Sequence, residues 1–469
     1  MSTSQGGFGN GFGNGVGNGG GNNGGNGDHD GADPGDGFGP DETVETTGRY
    51  VVTFSDEIHG DEAAQAEALR SVAGTQSVAS TRDFDADGIN LEDVSTADAI
   101  VFAQLGLAVI NGDGGIGGAG GQSILEAAAA DPRILAIEPE LVMHAIDEGA
   151  VMTVDYLRGY RDAAAHLFDL TGALTEGAEA MAAAAFADNA QFTWGLQATG
   201  VATSSRRGTA VKLAVLDTGL DLRHPDFAGR NITSQSFVAG EAVQDGHGHG
   251  THCIGTSCGP ISPAGSRRYG IAAEAEIFAG KVLGNAGNGG DSNILAGIDW
   301  AVRNGCRVIS MSLGADVRWV STAYETAGRR ALDAGSLIVA AAGNNANRPG
   351  SKGFVGVPAN AKSIMAVAAV DSRLAIARFS ARSNIFASGG QIDIAGPGVD
   401  VYSTAPMPTR YATHSGTSMA TPHVAGIAAL WATAGGGTGA TLWSSLVRAA
   451  RRLSLPASDV GAGLAQAPQ

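Results

Sequence analysis

Ser415-Gly416-Thr417-Ser418-Met419-Ala420-Thr421-Pro422-His423 sets a serine between a glycine turn and an apolar run, 420–431, of helical character. A serine at a helix start has backbone N–H groups and the positive dipole end beside it. Both favour a developing oxyanion. Alone, such a serine reads as a plain N-cap. Two more glycine-containing strings change that reading: Leu216-Asp217-Thr218-Gly219 and His249-Gly250-Thr251-His252-Cys253. An Asp, a His and a Ser are the parts of a nucleophilic hydrolase. Their chain order separates the unrelated folds that use the same trio. Pro422 is expected in the first helical turn, where a missing N–H costs nothing.

An imidazole is the natural base for a serine hydroxyl, because its pKa lies near neutrality. Of His247, His249 and His252, His249 is taken as that base and His252 as structural. Three histidines and a thiol in one stretch also raise a metal, but no Cys-x-x-Cys pair or second ligand cluster accompanies them, so zinc is not expected. Asp217 closes a strand. A buried carboxylate there needs a partner, and the far side of the imidazole supplies one while fixing its tautomer. Asn344 follows a small-residue strand and can aim its amide at an oxyanion; the plainer alternative is a turn asparagine.

Working outward, apolar runs at 211–216, 277–282, 308–311, 337–341 and 364–370 alternate with helices at 292–304, 322–334, 417–434 and 440–453. Continuous apolar strands separated by helices predict an α/β fold, a mostly parallel sheet covered by helices on both faces. Chemistry in such sheets gathers at the carboxyl ends of strands, where Asp217 and Asn344 fall. A small α+β unit precedes it, with strands at 49–54, 99–110 and 134–143 and helices at 62–72 and 123–130. The domain expectation is a disordered Gly/Asn/Asp-rich tail over 1–45, the α+β unit over 46–146, a helical connector over 147–191 (helices 154–170 and 176–187), and the larger domain over 192–469.

The chain has 469 residues and a net charge of −18, which argues against a nucleic-acid or anionic-membrane partner. No unbroken apolar stretch is long enough to span a bilayer. The N-terminus as written has no secretory signal pattern. Three cysteines, Cys253, Cys258 and Cys306, do not make a disulfide framework and read as buried thiols.

The three strings resemble the subtilase family of serine peptidases over residues 192–465, and Cys253 after the histidine string is similar to its proteinase K-like branch. The resemblance implies a subtilisin-like endopeptidase with Asp217, His249 and Ser418 as triad and Asn344 as oxyanion donor. Gly287-Asn288-Gly289 and Ser312-Leu313-Gly314 would pair with an extended polypeptide substrate. Gly343 and Gly356 would line a first pocket for a large apolar residue. Asp226, beside His224-Pro225, matches a position that helps hold calcium, an expected structural ion that the chemistry does not need. Residues 46–146 resemble the family's inhibitory propeptide, so the partners implied are polypeptide substrates and the chain's own propeptide, in a self-processing zymogen. The first cut is expected between 143 and 192. The resemblance favours an extracellular setting.

Other classes fit less well. A silent binding module is expected to have lost one of these four residues, and all are present. An esterase of the α/β-hydrolase type needs Gly-x-Ser-x-Gly with Ser before His; here Met419-Ala420 follows Ser418, and His249 precedes it.

Overall fold

The apolar runs become buried strands. A computed structural model describes residues 44–84, 96–111, 119–146, 185–384 and 389–469. The chain divides into two units, 1–43 and 44–469, and every described residue belongs to the second. All but the last two residues of the expected tail, and connector helix 154–170, lie outside the described residues. So does most of helix 176–187, whose last residues, 185–187, are not helical.

In chain order the elements of the N-terminal part are β1 (Thr46–Phe54), α1 (Glu62–Ala73), β2 (Val78–Ser80), β3 (Ala99–Phe102), β4 (Leu107–Ile110), α2 (Ala119–Ala130) and β5 (Ile134–Ala145). There follow α3 (Trp194–Ala198), β6 (Lys212–Asp217), β7 (Ile232–Ser236), α4 (His249–Cys258), β8 (Glu276–Lys281), β9 (Asn288–Gly290) and α5 (Asp291–Arg303). The remainder is β10 (Val308–Met311), β11 (Leu313–Gly314), α6 (Thr322–Asp333), β12 (Leu337–Ala341), β13 (Met365–Val370), β14 (Ile394–Pro397), β15 (Val401–Thr404), β16 (Tyr411–His414), α7 (Thr417–Thr433), α8 (Gly439–Ala449) and α9 (Ala457–Val460).

Seven parallel strands form the larger sheet in the order β14-β13-β12-β10-β6-β8-β7. Side chains alternate between its faces. Ala214 and Leu216 of β6 join a core with α5 and α6, whereas Leu213 and Val215 join one with α4 and α7. Both faces are thus covered, as a parallel sheet requires.

The N-terminal strands form a second sheet in the order β5-β1-β4-β3-β2. One face, including Tyr50, Val52 and Phe54, packs on α1 and α2. The other, including Val51, Phe102 and Leu107, shares a core with α5 and α6. The two helices are therefore sandwiched between sheets.

Strand β5 carries two glutamates to these helices. Glu138 accepts from the backbone N–H of Thr322 at 2.8 Å and of Ala323 at 3.0 Å, at the start of α6. Glu140 accepts from Ser292 N–H at 2.8 Å, at the start of α5, whose own N-cap, Gly290, supplies no side-chain cap. Each carboxylate meets unsatisfied donors and the positive end of a helix dipole.

Candidate active site

Asp217 is the last residue of β6, at the carboxyl end of the sheet, and its carboxylate is buried. Glycines bring the base to it. Gly219, at φ 105°, turns the chain away from β6. Gly250 lets α4 pass directly over that turn; a side chain there would collide with the Gly219 carbonyl. His249, the first residue of α4, then places Nδ1 2.8 Å from Asp217 Oδ1 and 3.0 Å from Oδ2. Burial disfavours the charged ring, but the adjacent carboxylate outweighs it and holds the His249 pKa well above the ordinary 6.5. Thr218 Oγ1 accepts from Gly250 N–H at 2.8 Å and donates to Asp245 at 2.9 Å, tying strand end to helix start.

Ser418 is the second residue of α7 and is fully buried. Its Oγ donates to the Ser312 carbonyl at 3.1 Å. His249 Nε2 is buried with no hydrogen-bond partner. The expected trio therefore forms as a joined Asp217–His249 pair, with the Ser418 hydroxyl turned to a neighbouring carbonyl. Cys253 Sγ lies between them, 3.9 Å from His249 Nδ1 and 3.6 Å from the Ser418 carbonyl. Burial pushes that thiol up to about 11, so it stays protonated near neutrality. All three cysteines are buried and unpaired. His252 sits within α4, its Nε2 3.0 Å from the Val401 carbonyl, in the structural place expected of it.

Pro422 corrects one expectation. Helix α7 begins at Thr417, so Pro422 lies in its second turn, not its first. There it has no N–H for the Ser418 carbonyl four residues back. Ser312 Oγ donates to that carbonyl instead, at 2.8 Å. Ser312 thus grips Ser418 through both its hydroxyl and its carbonyl.

The expected substrate-pairing segments and Asn344 flank a segment of the chain itself. The end of β5 pairs antiparallel with β9 on one side (Val142↔Gly290, Met143↔Gly289, His144↔Asn288) and with β11 on the other (Leu313↔Ala145, Gly314↔His144). Ala145 N–H donates to the Gly287 carbonyl at 2.8 Å and Ile146 N–H to the Ser312 carbonyl at 3.2 Å. Asn344 donates through Nδ2 to the Ile146 carbonyl at 3.4 Å. Its Oδ1 accepts from Thr417 N–H at 3.0 Å and Oγ1 at 2.9 Å, which fixes the amide's orientation. Thr417 and Ser312 are orienting residues that sequence reasoning missed in those roles. Thr417 directly precedes the nucleophile candidate, a signal that went unused.

Gly314 meets the Ile146 side chain: a Cβ there would stand 3.0 Å from Ile146 Cδ1. Gly343 and Gly356 do not have Ile146 among their three nearest neighbours. A Cβ on Gly343 would meet Asn345, Ala381 and Phe354, and one on Gly356 the Ala315 carbonyl. On another side of His249 a cleft of about 370 Å³ is lined by His247, Pro406, Met407 and His414 among others.

Asp226 does not fit the expected calcium ligand. Its Oδ2 accepts from Tyr269 Oη at 2.6 Å and Tyr411 Oη at 2.8 Å, and Arg410 stands 3.5 Å from Oδ1. Two phenols and a guanidinium take the place that an oxygen-only ligand shell needs. Among the described residues, the one cluster of three His, Cys, Asp or Glu ligand atoms is Asp217, His249 and Cys253. No helix there is long and apolar enough to cross a membrane.

Fold and cleft together define a serine-type endopeptidase on a parallel α/β scaffold. The chain belongs to the subtilase family, whose model matches residues 208–464. It is 40% identical to Subtilisin DY of Bacillus licheniformis over 267 residues, 57% of this chain and 90% of that protein. It is 44% identical to Subtilisin E of Bacillus subtilis (strain 168) over 225 residues, 48% of this chain and little more than half, 55%, of that protein. With Subtilisin Savinase of Lederbergia lenta the identity is 43% over 241 residues, 50% and 82% of the two chains. Members of the family generally bind calcium.

Proposed function

We propose that the chain is made as an autoinhibited precursor that cuts itself, with Ser418, His249, Asp217 and Asn344 as the working residues. The observation that carries this is strand β5, held as a peptide between β9 and β11, with the carbonyl of Ile146 just beyond it on Asn344 Nδ2. A segment bound in this way occupies the place of a polypeptide substrate and reads it by main-chain hydrogen bonds. Residues 46–146 then act as inhibitor as well as first substrate, and 192–469 as the peptidase.

In this mechanism the Ser418 hydroxyl turns from the Ser312 carbonyl to His249 Nε2, a buried nitrogen in need of a partner. His249 takes its proton as Ser418 Oγ adds to the peptide carbonyl, and Asp217 holds the resulting imidazolium. Asn344 Nδ2 and the Ser418 backbone N–H hold the tetrahedral oxyanion. His249 returns the proton to the leaving amine, and water then cleaves the acyl-enzyme. Cys253, directly after the histidine string, supports the proteinase K-like branch. The Asp226 site has no part in the scheme.

Ser418→Ala should abolish both turnover of added protein and self-cleavage. A purified Ser418→Ala chain that shortens at the wild-type rate contradicts the proposal.

A further inference from the structure

Resting on that precursor reading, we infer that the bond the chain cuts first in itself is Ile146–Asp147. Among the described residues from 141 to 193, Ile146 is the one whose carbonyl meets the Asn344 amide, at 3.4 Å. The same oxygen lies 3.1 Å from where a Cβ on Gly416 would stand, two residues before Ser418. Its N–H is fixed by the Ser312 carbonyl at 3.2 Å, and Ser312 also receives the Ser418 hydroxyl. Its side chain rests on Gly314. Backbone, side chain and carbonyl of one residue are thus all held beside the nucleophile.

The other boundaries in this part of the chain are engaged elsewhere. Met143 is fully buried and paired with Gly289, within the strand. The Phe192 carbonyl accepts from Asn189 N–H at 3.0 Å and from Gln197 Nε2 at 3.3 Å. Phe186 N–H donates to the Ser372 carbonyl at 2.8 Å. Asp188 accepts from Trp194 N–H at 2.7 Å and pairs with Arg267 at 2.7 Å. These bonds anchor the chain from 186 onward to the large domain.

The step balances. Ser418 Oγ bonds to the Ile146 carbonyl carbon, and the Ile146–Asp147 C–N bond breaks. The serine proton passes through His249 to the new amine of Asp147. Water then releases the Ile146 carboxylate and restores the hydroxyl. The first-cut enzyme keeps residues 147–184 as an N-terminal extension, joined at the anchored segment. Its cleft has by then accepted a β-branched aliphatic residue on the acyl side.

The test is a time course of the freshly purified full chain, with intact masses of both fragments and N-terminal sequencing of the large one. The expected first products are a fragment ending at Ile146 and one beginning Asp147-Glu148-Gly149-Ala150. Ile146→Asp should slow their formation at least about tenfold, since it replaces the apolar side chain that rests on Gly314 with a charge. Gln191→Ala, at the alternative boundary, should leave the rate unchanged. A first fragment ending elsewhere, such as at Gln191, overturns this inference and leaves the precursor reading standing. A wild-type chain that never cuts itself, or cutting that persists in Ser418→Ala, overturns both.

Discussion

Asn344 and His249 carry the predictions that belong to single residues. Thr417 orients the Asn344 amide by taking both bonds to its oxygen, which leaves Nδ2 for the substrate carbonyl. Asn344→Ala should lower kcat by about two to three orders of magnitude, the size known for such a donor in subtilisin itself rather than one derived from this geometry. A loss under about fivefold in a peptide-hydrolysis assay contradicts the role. His249 must be neutral to accept the serine proton. Its pKa is raised, so the working form is lost as pH falls through a value above 6.5. The self-cleavage rate should therefore climb with pH to a midpoint above 6.5, and Asp217→Asn should move that midpoint down while slowing the reaction. A wild-type midpoint well below 6.5 excludes the carboxylate-supported base. The four chemical residues were legible because each stands in a short string whose residue types the chemistry dictates. Ser312 and Thr417 were not legible as orienting groups, because their work is done through backbone atoms and a neighbour's amide. Pro422 was misplaced by one turn because it was counted from the apolar run at 420 rather than from the helix start at Thr417.

Strand β5 shows what one element can do for two others. Glu138 and Glu140 are two residues apart, so both point to the same face, and each reaches the start of a different helix. Glu138 is half-buried and replaceable in part by Ser321, the N-cap of α6, whose Oγ accepts from Tyr324 N–H. Its loss should cost about 1 kcal/mol, the usual value of a cap. Glu140 is fully buried and pairs with Arg49 at 2.6 Å as well as capping α5. Removing it takes a buried acceptor from both Arg49 and the start of α5, so Glu140→Ala should cost about 2 kcal/mol or more. Denaturant midpoints of the uncleaved Ser418→Ala chain check the ranking; equal, small losses for both contradict it. Strands 308–311 and 337–341 were read to the residue, each from a short run of mostly apolar residues. Helix 440–453 was read four residues too long: α8 stops at Ala449, and Arg451 turns instead to bond with Leu464. That competitor lies too far along the chain for a local pattern to show it.

Across the whole described molecule, the N-terminal sheet covers acidic groups of the large domain. Burial pushes Asp291 up to about 7 and Asp299 up to about 6. Asp291 accepts from Leu141 N–H and Asp299 from Gln104 N–H, each at 2.7 Å, so both meet the N-terminal part. A carboxylate whose pKa is raised on folding binds more protons folded than unfolded. Its contribution is full below about 4 and is lost as pH rises through 6 to 7. The melting temperature of the Ser418→Ala precursor should fall between pH 5 and 8, and Asp291→Asn should flatten that fall. An unchanged slope contradicts the assignment. The change between an α+β pattern and an alternating one made the two sheets legible. That β5 pairs with β9 and β11 was not legible: the resemblance implied only that 287–289 and 312–314 pair with an extended substrate, and no local signal pairs Met143 with Gly289. The calcium expectation at Asp226 failed for a similar reason: Tyr411, 185 residues away, reaches its carboxylate.

Activity turns on one hydroxyl becoming a nucleophile when an imidazole accepts its proton. Fluorophosphonate labelling of the self-processed protein, followed by peptide mass mapping, reads that directly. A single adduct on Ser418 is expected, and no adduct there in the matching His249→Ala chain. A Ser418 peptide that stays unmodified in the wild type, or is labelled equally without His249, contradicts this mechanism.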